Sequence, residues 1–398
     1  MIHAETTQNS RRVAVIGAGV IGTMTAWQLA KRGHQVTVFD QFNTPNDRGA
    51  SAGESRIFRT LYKEGTDYLP ILASVREFWE ELQHEQRPFL EMCGGLTIGH
   101  PEQPDVARVI ECGEVGGLDF EVIDAADMAR RYPQYRLDDD EVGVFDPASG
   151  IFRPELAVLS ARDESIKYGA RYRPYSRVLG IRPLSNAVVL DSADGAAEFD
   201  NVVLATGPWC NELSGLPHST VVPRRLVALW FAAADVPLHT PTNMPISIRR
   251  HAAGGFSCFP VVDGVGVKIL PHHLPWVDLD TVDELPRFIE TEFVRSAESA
   301  VARLMPGLEP TAFRVSTWAE GFAADDAPII GTSPEDGRIV YAFGMSGQGF
   351  KFSPMVGSIA ADLVSEGRSP DMIDIFDAAR LVNDSAPSNA AHAVGSAP

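Results

Sequence analysis

The sequence predicts an α/β fold of mixed α+β character, in which one dinucleotide-binding sheet is interrupted by a second sheet-containing domain. Three observations carry that expectation. Arg12 to Asp40 reads as strand, glycine turn, helix and strand, ending in an acid. Two later segments belong to the same kind of sheet: VVLATG (202–207) is a buried strand ending in a glycine turn, and Ile339 to Phe343 is an apolar strand before a glycine loop and a helix. Between them the chain changes character twice, into short strands and turns from Gly94 to about Glu141 and again from Pro223 to about Leu270.

Each element has its own justification. Val13, Ala14, Val15 and Ile16 are the short apolar run of a strand buried on both faces. Gly17, Gly19 and Gly22 follow with the spacing G-x-G-x-x-G, with Ala18, Val20 and Ile21 between them. The first glycine allows a tight turn, the second lets backbone approach a pyrophosphate, and the third lets helix pack closely on strand. Thr23 to Arg32 has helical spacing and stops at Gly33, a C-terminal cap. Val36, Val38 and Phe39 form the next strand, and Asp40 stands where a carboxylate accepts hydrogen bonds from a ribose. Together these make a Rossmann-like nucleotide site.

Residues 41–55 are rich in turn formers and read as a loop. Helices are expected from about Tyr68 to Gln83, within 150–169, over Thr281 to Leu304 with acids at its start, and from the glycine loop to about Ser365. The resulting boundaries are 11–85, 145–220 and 315–380 for the nucleotide-binding domain and 86–144 and 221–314 for the inserted one. Residues 381–398, rich in Ala, Ser, Pro and Asn, read as a disordered tail.

Composition excludes several function classes. With 398 residues the chain suits two domains, and its formal net charge of −19 repels phosphate backbones and anionic lipid. Nucleic acid and membranes are therefore poor partners, and an anionic ligand needs a local basic pocket. Cys93, Cys112, Cys210 and Cys258 are scattered without a C-x-x-C pair, which suggests neither disulfide framework nor metal site and fits a reducing cytoplasm. No apolar run reaches transmembrane length, and the polar first ten residues do not resemble a signal peptide.

Four groups can carry chemistry. Gly347, Gln348, Gly349, Phe350 and Lys351 open the last helix, whose N-terminus offers unpaired N–H groups and partial positive charge; read alone, the glycines could serve a tight turn only. Arg56 and Arg59 share a face if Ser55 to Tyr62 is helical, and an arginine grips a carboxylate through two parallel bonds; read alone, both are ordinary solvated arginines. Lys268 sits on the second face of the apolar strand GVGVKIL, either as a solvated edge charge or as a cation kept in a pocket. His272, four residues on, is a surface histidine or an active-site group.

The stretches GAGVIGTMTAWQLAKRGHQVTVFD, GASAGESRIFRTLY, NVVLATGPW, GVGVKILPHH and FGMSGQGFKFSPMVG occur in an order that resembles the FAD-dependent amine oxidases of the D-amino-acid oxidase superfamily, in its monomeric sarcosine oxidase and N-methyltryptophan oxidase branch. The resemblance runs from about Arg12 to Phe376. It implies FAD as cofactor and an antiparallel substrate-domain sheet over the flavin. It assigns the cofactor contacts to the 17–22 turn, Asp40, Ser51, Ser55, Arg56, Val178, Thr206, Gly207, Trp209 and the 347–351 segment. It also implies that Arg59 and Lys351 clamp a substrate carboxylate, that Arg56 lies against the flavin ring, that Lys268 promotes reaction with oxygen, and that His272 and Trp318 line the substrate site.

The chain departs from that pattern in informative places. Ser316 in RVSTW takes the position of the cysteine that tethers flavin in the branch, so FAD is expected to be non-covalent. Trp318 and Ser257 stand for tyrosines and Ala52 for a histidine, which keeps the carboxylate clamp and rebuilds the amine end. Arg249 and Arg250 either read a second acidic group or, as expected here, are exposed.

The resulting expectation is oxidation of the C–N bond of an amino acid or N-alkyl amino acid to an imine, with O2 reduced to H2O2, by a monomer or small homo-oligomer. The alternatives are an FAD-dependent dehydrogenase of an α-hydroxy or amino acid with another acceptor, and a flavin-binding subunit of a larger assembly.

Overall fold

The structure, a computed structural model, describes residues 10–272, 274 and 276–383. Its first strand, β1 (Arg12–Ile16), lies beside β2 (Gln35–Phe39) with Val13 opposite Val36 and Val15 opposite Val38. These apolar pairs are buried on both faces, which is why the sequence runs apolar without alternation. The sheet has six strands in the order Ile329–Thr332, Ile339–Phe343, Asn201–Leu204, β1, β2, Arg171–Arg173. All neighbours are parallel except Ile329–Thr332 against Ile339–Phe343.

Helix α1 (Val20–Lys31) follows the glycine turn and packs between the Pro154–Lys167 and Gly349–Glu366 helices. The closest approach to the last is at Gly357, where a Cβ would meet the Met24 carbonyl carbon at 2.7 Å. Gly33 closes α1 at φ 87°, and its N–H reaches the Ala30 carbonyl. Behind this layer Trp79, Phe89, Phe152 and Phe350 stack and tilt against one another and join the core to the start of the last helix.

The second sheet has nine strands and is antiparallel apart from the parallel pair Gly95–Gly99 with Ile246–Arg249. Its backbone is the long ladder of Val221–Ala233 with Leu308–Ala323. The latter strand runs straight across the boundary expected at 314/315, so one strand serves both sheets' surroundings. The Thr291–Leu304 helix packs its apolar stripe on this sheet.

Three local expectations are corrected. The helix drawn from Thr281 starts at Thr291; Pro286 lacks an N–H donor and disfavours helix in the residue before it, so Val282–Glu284 makes only a single turn. Ser55 to Tyr62 is not helical: Arg56–Phe58 is strand β3, paired with Gly150–Phe152, so Arg56 and Arg59 do not share a helical face. In the expected tail, 381–383 belong to the short Arg380–Asn383 helix, and 384–398 lie outside the described residues.

Candidate active site

An open cleft runs from the β1 turn to the mouth of the Gly349–Glu366 helix, long enough to join both ends of an extended dinucleotide site. Gly17, Ala18, Gly19, Val20 and Ile21 form one end, with Asp40, Val178, Thr206, Gly207 and Trp209 around it. Gly17 has φ 100°, and a Cβ there would meet the Ala205 carbonyl oxygen at 2.3 Å, so only glycine permits this turn. Gly22 does not line the cleft: its missing Cβ would lie 1.8 Å from the Gly17 oxygen, which is the helix-on-strand packing role. Asp40 accepts from the Ala18 N–H at 2.6 Å and the Phe42 N–H at 2.7 Å, and burial nonetheless pushes its carboxyl up.

Two helix N-termini open onto this cleft without an acid in the first turn or a side-chain cap, those of α1 and the Gly349–Glu366 helix. Ser51 Oγ accepts from the Val20 N–H at 2.9 Å, at the head of α1. Thr206 Oγ1 is buried on the cleft wall with no hydrogen-bond partner. A helix N-terminus with no acid in its first turn and an orphaned hydroxyl suit a phosphate-bearing cofactor. The residues present therefore fit FAD: the α1 end would hold the pyrophosphate, and Gly347, Gly349 and Phe350 the ring end.

At that ring end Arg56 reaches into the cleft, donating to the carbonyls of Ser55 (2.7 Å) and Ala50 (2.6 Å) with its guanidinium 5.2 Å from the Trp318 ring centroid. Lys268, 2 % exposed, donates to the carbonyls of Gly53 and Ser55, both at 2.8 Å. It lies 4.3 Å from the Phe259 ring and 5.8 Å from that of Trp318. Burial and the Arg56 charge hold its ammonium well below the usual lysine range. Of the two readings of this lysine, the structure shows the buried cation.

Beyond Phe350, Arg59 and Lys351 converge on Tyr62. Lys351 Nζ donates to the Tyr62 hydroxyl at 2.9 Å and sits 4.1 Å from its ring, and Arg59 stacks at 4.6 Å. Burial, with Arg59 adding to it, holds Lys351 well below its usual range. Arg59 Nη2 donates to both Glu64 oxygens at 2.8 Å, whereas its Nη1 is buried without a partner. Burial would raise the Glu64 carboxyl, but Arg59, Lys63 and Lys351 outweigh it and hold it low. His272 pairs with Ser257 Oγ at 3.0 Å; burial, Arg250 and Lys63 push its imidazole down to about 3, so the ring is neutral.

Several expected contacts fall elsewhere. Ser55 and Gln348 do not line the cleft: Ser55 offers its carbonyl to Lys268 and Arg56, and Gln348 is held by the Tyr62 hydroxyl and the Asp326 carbonyl. Lys351 likewise faces Tyr62 rather than the cofactor cleft. Ser316 is not on the cleft wall either. On its strand, Glu320 and Gly321 line the cleft while Trp318 covers Gly53 and Arg56. No cysteine lines the cleft among the described residues.

Arg249, expected to be exposed, is 1 % exposed and paired with Glu141, because the inserted domain closes over it. Arg250 is the exposed one of the two, held by Asp105 at 2.6 Å. The sequence reading missed Tyr62, Glu64 and Glu320. An acid five residues after Arg59 was a visible signal for Glu64; for Glu320 there was none.

A nucleotide cleft with a cationic chamber at its ring end defines a flavin-binding oxidoreductase. The chain belongs to the DAO family of FAD dependent oxidoreductases, which it matches over residues 12–363. It is 30% identical over 378 residues to the monomeric sarcosine oxidase of Streptomyces avermitilis, covering 93% of this chain and 97% of that one. Identity to the N-methyl-L-tryptophan oxidase of Escherichia coli K12 is 27% over 359 residues, with 89% and 95% covered. In fold it is similar to NikD, described as an unusual amino acid oxidase essential for nikkomycin biosynthesis, with TM-score 0.82, 22% identity and coverage of 93% and 98%. The L-proline dehydrogenase of P. horikoshii gives 0.81 at 21% identity, covering 94% and 98%. No helix among the described residues is long and apolar enough to cross a membrane.

Proposed function

We propose that the protein oxidises the C–N bond of an amino acid or N-alkyl amino acid to an imine and passes the electrons to O2, giving H2O2. The observation that carries this reading is the convergence of Arg59 and Lys351 on Tyr62, with a buried guanidinium donor left unpartnered. A buried cation pair with donors to spare calls for an anion, and the small anion that an amine oxidase must orient is the substrate carboxylate. The sarcosine and N-methyltryptophan oxidase relatives support the same chemistry.

FAD, when bound, supplies the hydride acceptor. Arg59 and Lys351 bind and orient the carboxylate, which sets the α carbon toward the cleft. Trp318 and the Phe259 ring enclose Lys268 and exclude water from it. Lys268 places a cation where transfer of electrons to O2 develops negative charge. Neutral His272 with Ser257 offers a hydrogen-bonding edge without adding charge. Only the unprotonated amine can give up hydride, so the rate rises with pH as the substrate deprotonates. Four scattered free cysteines support a reducing cytoplasm as its compartment.

An anaerobic screen of N-methyl, cyclic and primary amino acids for flavin bleaching tests the reading. Bleaching by at least one amino acid, followed by recolouring and stoichiometric peroxide in air, is the expected result. Rapid bleaching with dye reduction but little peroxide would replace the oxidase by a dehydrogenase. A flavin that no amine bleaches would overturn the proposal.

A further inference from the structure

Three acids line the cofactor cleft, and two are already committed. Asp40 holds the Ala18 and Phe42 amides, and Glu212 pairs with Arg177 at 2.9 Å, both toward the nucleotide end. Glu320 stands at the other end. It projects from the Leu308–Ala323 strand and accepts from the Gly347 N–H at 2.9 Å, just ahead of the Gly349–Glu366 helix. Arg56 is near enough to act on it, yet spends its described hydrogen bonds on the Ser55 and Ala50 carbonyls. No salt bridge to Glu320 forms among the described residues.

The mouth of this helix is the end of the cleft that fits the flavin ring, and reduction adds two electrons with one proton, leaving the ring one unit more negative. A helix N-terminus and Arg56 favour that change. A carboxylate seated among them opposes it and also occupies one of the N–H donors that would meet the ring. We infer that Glu320 is a charge-tuning residue for the bound flavin: its carboxylate on the Gly347 amide weakens the site's hold on the electron-rich form and keeps the cofactor a milder oxidant. The consequence is a demand on the substrate, which must be an easily oxidised amine. This rests on the FAD assignment and not on the amine reading, so the two can fail separately.

The charged groups facing Glu320 are Arg56 from β3 and, opposite it on the Val221–Ala233 strand, Arg224, whose guanidinium goes to Asp278 at 2.9 Å. Arg224 also acts on Asp326. Burial pushes the Glu320 carboxyl up, so it takes up its proton at a higher pH than a solvated glutamate does.

The test uses purified holoenzyme, dye-equilibrated midpoint potentials, and sulfite, a nucleophile that adds to oxidised flavin and leaves negative charge on it. Glu320→Gln should tighten sulfite binding tenfold or more and raise the two-electron midpoint by about 30 mV per tenfold, and Glu320→Asp should return both toward wild type. A Gln variant that keeps its flavin but shows unchanged sulfite affinity and midpoint overturns the inference. If Glu320→Gln loses the flavin, wild type decides: sulfite affinity, corrected for sulfite's own ionisation, should rise as pH falls through the carboxyl's titration. A flat corrected profile overturns it equally.

Discussion

Glu64 sits where a substrate carboxylate would be gripped, so replacing it should improve carboxylate binding while costing stability. Arg59 Nη2 donates to both Glu64 oxygens at 2.8 Å, with Glu64 also 3.7 Å from Lys63. An incoming carboxylate must displace this internal one. In Glu64→Gln two ion-pair bonds, worth about 1.5–3 kcal/mol each, become a single guanidinium-to-amide-oxygen bond at the low end of that range. Arg59 is thereby released by roughly 1.5 kcal/mol at the least, which is about tenfold in affinity. The assay is titration of the bound flavin's absorption with acetate, a ligand that needs the clamp and nothing else. Expected is an acetate Kd about tenfold lower in the variant, together with a lower Tm, because a guanidinium 12% exposed loses its partner at a cost of about 1–3 kcal/mol. An unchanged or higher Kd, with flavin retained, would show that Arg59 does not meet the ligand and would remove the clamp from the mechanism.

Lys268→Met should slow recolouring of the reduced enzyme by O2 by about 10²–10³-fold, the usual loss on removing one electrostatic stabiliser, while anaerobic bleaching changes far less; stopped-flow traces of the two half-reactions check this. Gly22→Ala puts a methyl 1.8 Å from the Gly17 oxygen, so the protein should purify with little flavin and lose about 1–3 kcal/mol of stability or more, read from flavin content and Tm. Lys351 gives a pH signature. Its folded pKa lies well below the free-lysine value of 10.5, so between those two values the unfolded chain binds more protons and stability rises with pH. That contribution is fully present above the unfolded value and is lost as pH falls through the folded one. Lys351→Met should flatten this part of the Tm–pH curve and abolish acetate binding; a slope identical to wild type would contradict the buried cation.

The cofactor end was legible because its chemistry is local. The Gly17–Gly22 turn, Asp40 and the 347–351 loop are contiguous segments whose spacing itself encodes backbone geometry, so reading the residues amounted to reading the shape. The catalytic chamber was legible only through resemblance, because Arg59 follows β3, Lys268 and His272 lie on and just after the Val267–Pro271 strand, and Lys351 is at the start of the Gly349–Glu366 helix. Glu320 could not be seen at all: a lone glutamate on a strand reads as an outward charge, and only the fold shows that the second half of Leu308–Ala323 is buried beside the Val221–Ala233 strand. Pro286, by contrast, was a visible helix breaker that acid-rich periodicity overrode, and the Ser55–Tyr62 stretch had the β-pairing partner Gly150–Phe152 nearly a hundred residues away, beyond any local pattern.

One segment, Gly53 to Glu64, ties the two halves of the site together. Its carbonyls at Gly53 and Ser55 hold Lys268, Arg56 enters the flavin end, and Arg59, Tyr62 and Glu64 build the chamber with Lys351. Glu155, from the Pro154–Lys167 helix, accepts from the Gly53 and Glu54 N–H groups at 3.0 and 3.1 Å, so this segment is fixed to the helix layer beside α1. On the proposed function, a carboxylate drawing Arg59 from Glu64 would act four residues from the Ser55 carbonyl and six from the Gly53 carbonyl that seat Lys268. On that same reading, substrate binding and the oxygen-side cation would therefore share one mechanical support. It follows that Glu155→Gln, which weakens that support and also removes a charge acting on Arg56 and Lys268, should change acetate affinity and the rate of flavin recolouring by O2 together. A variant that moves one and leaves the other at its wild-type value would show that the two halves of the site are held independently.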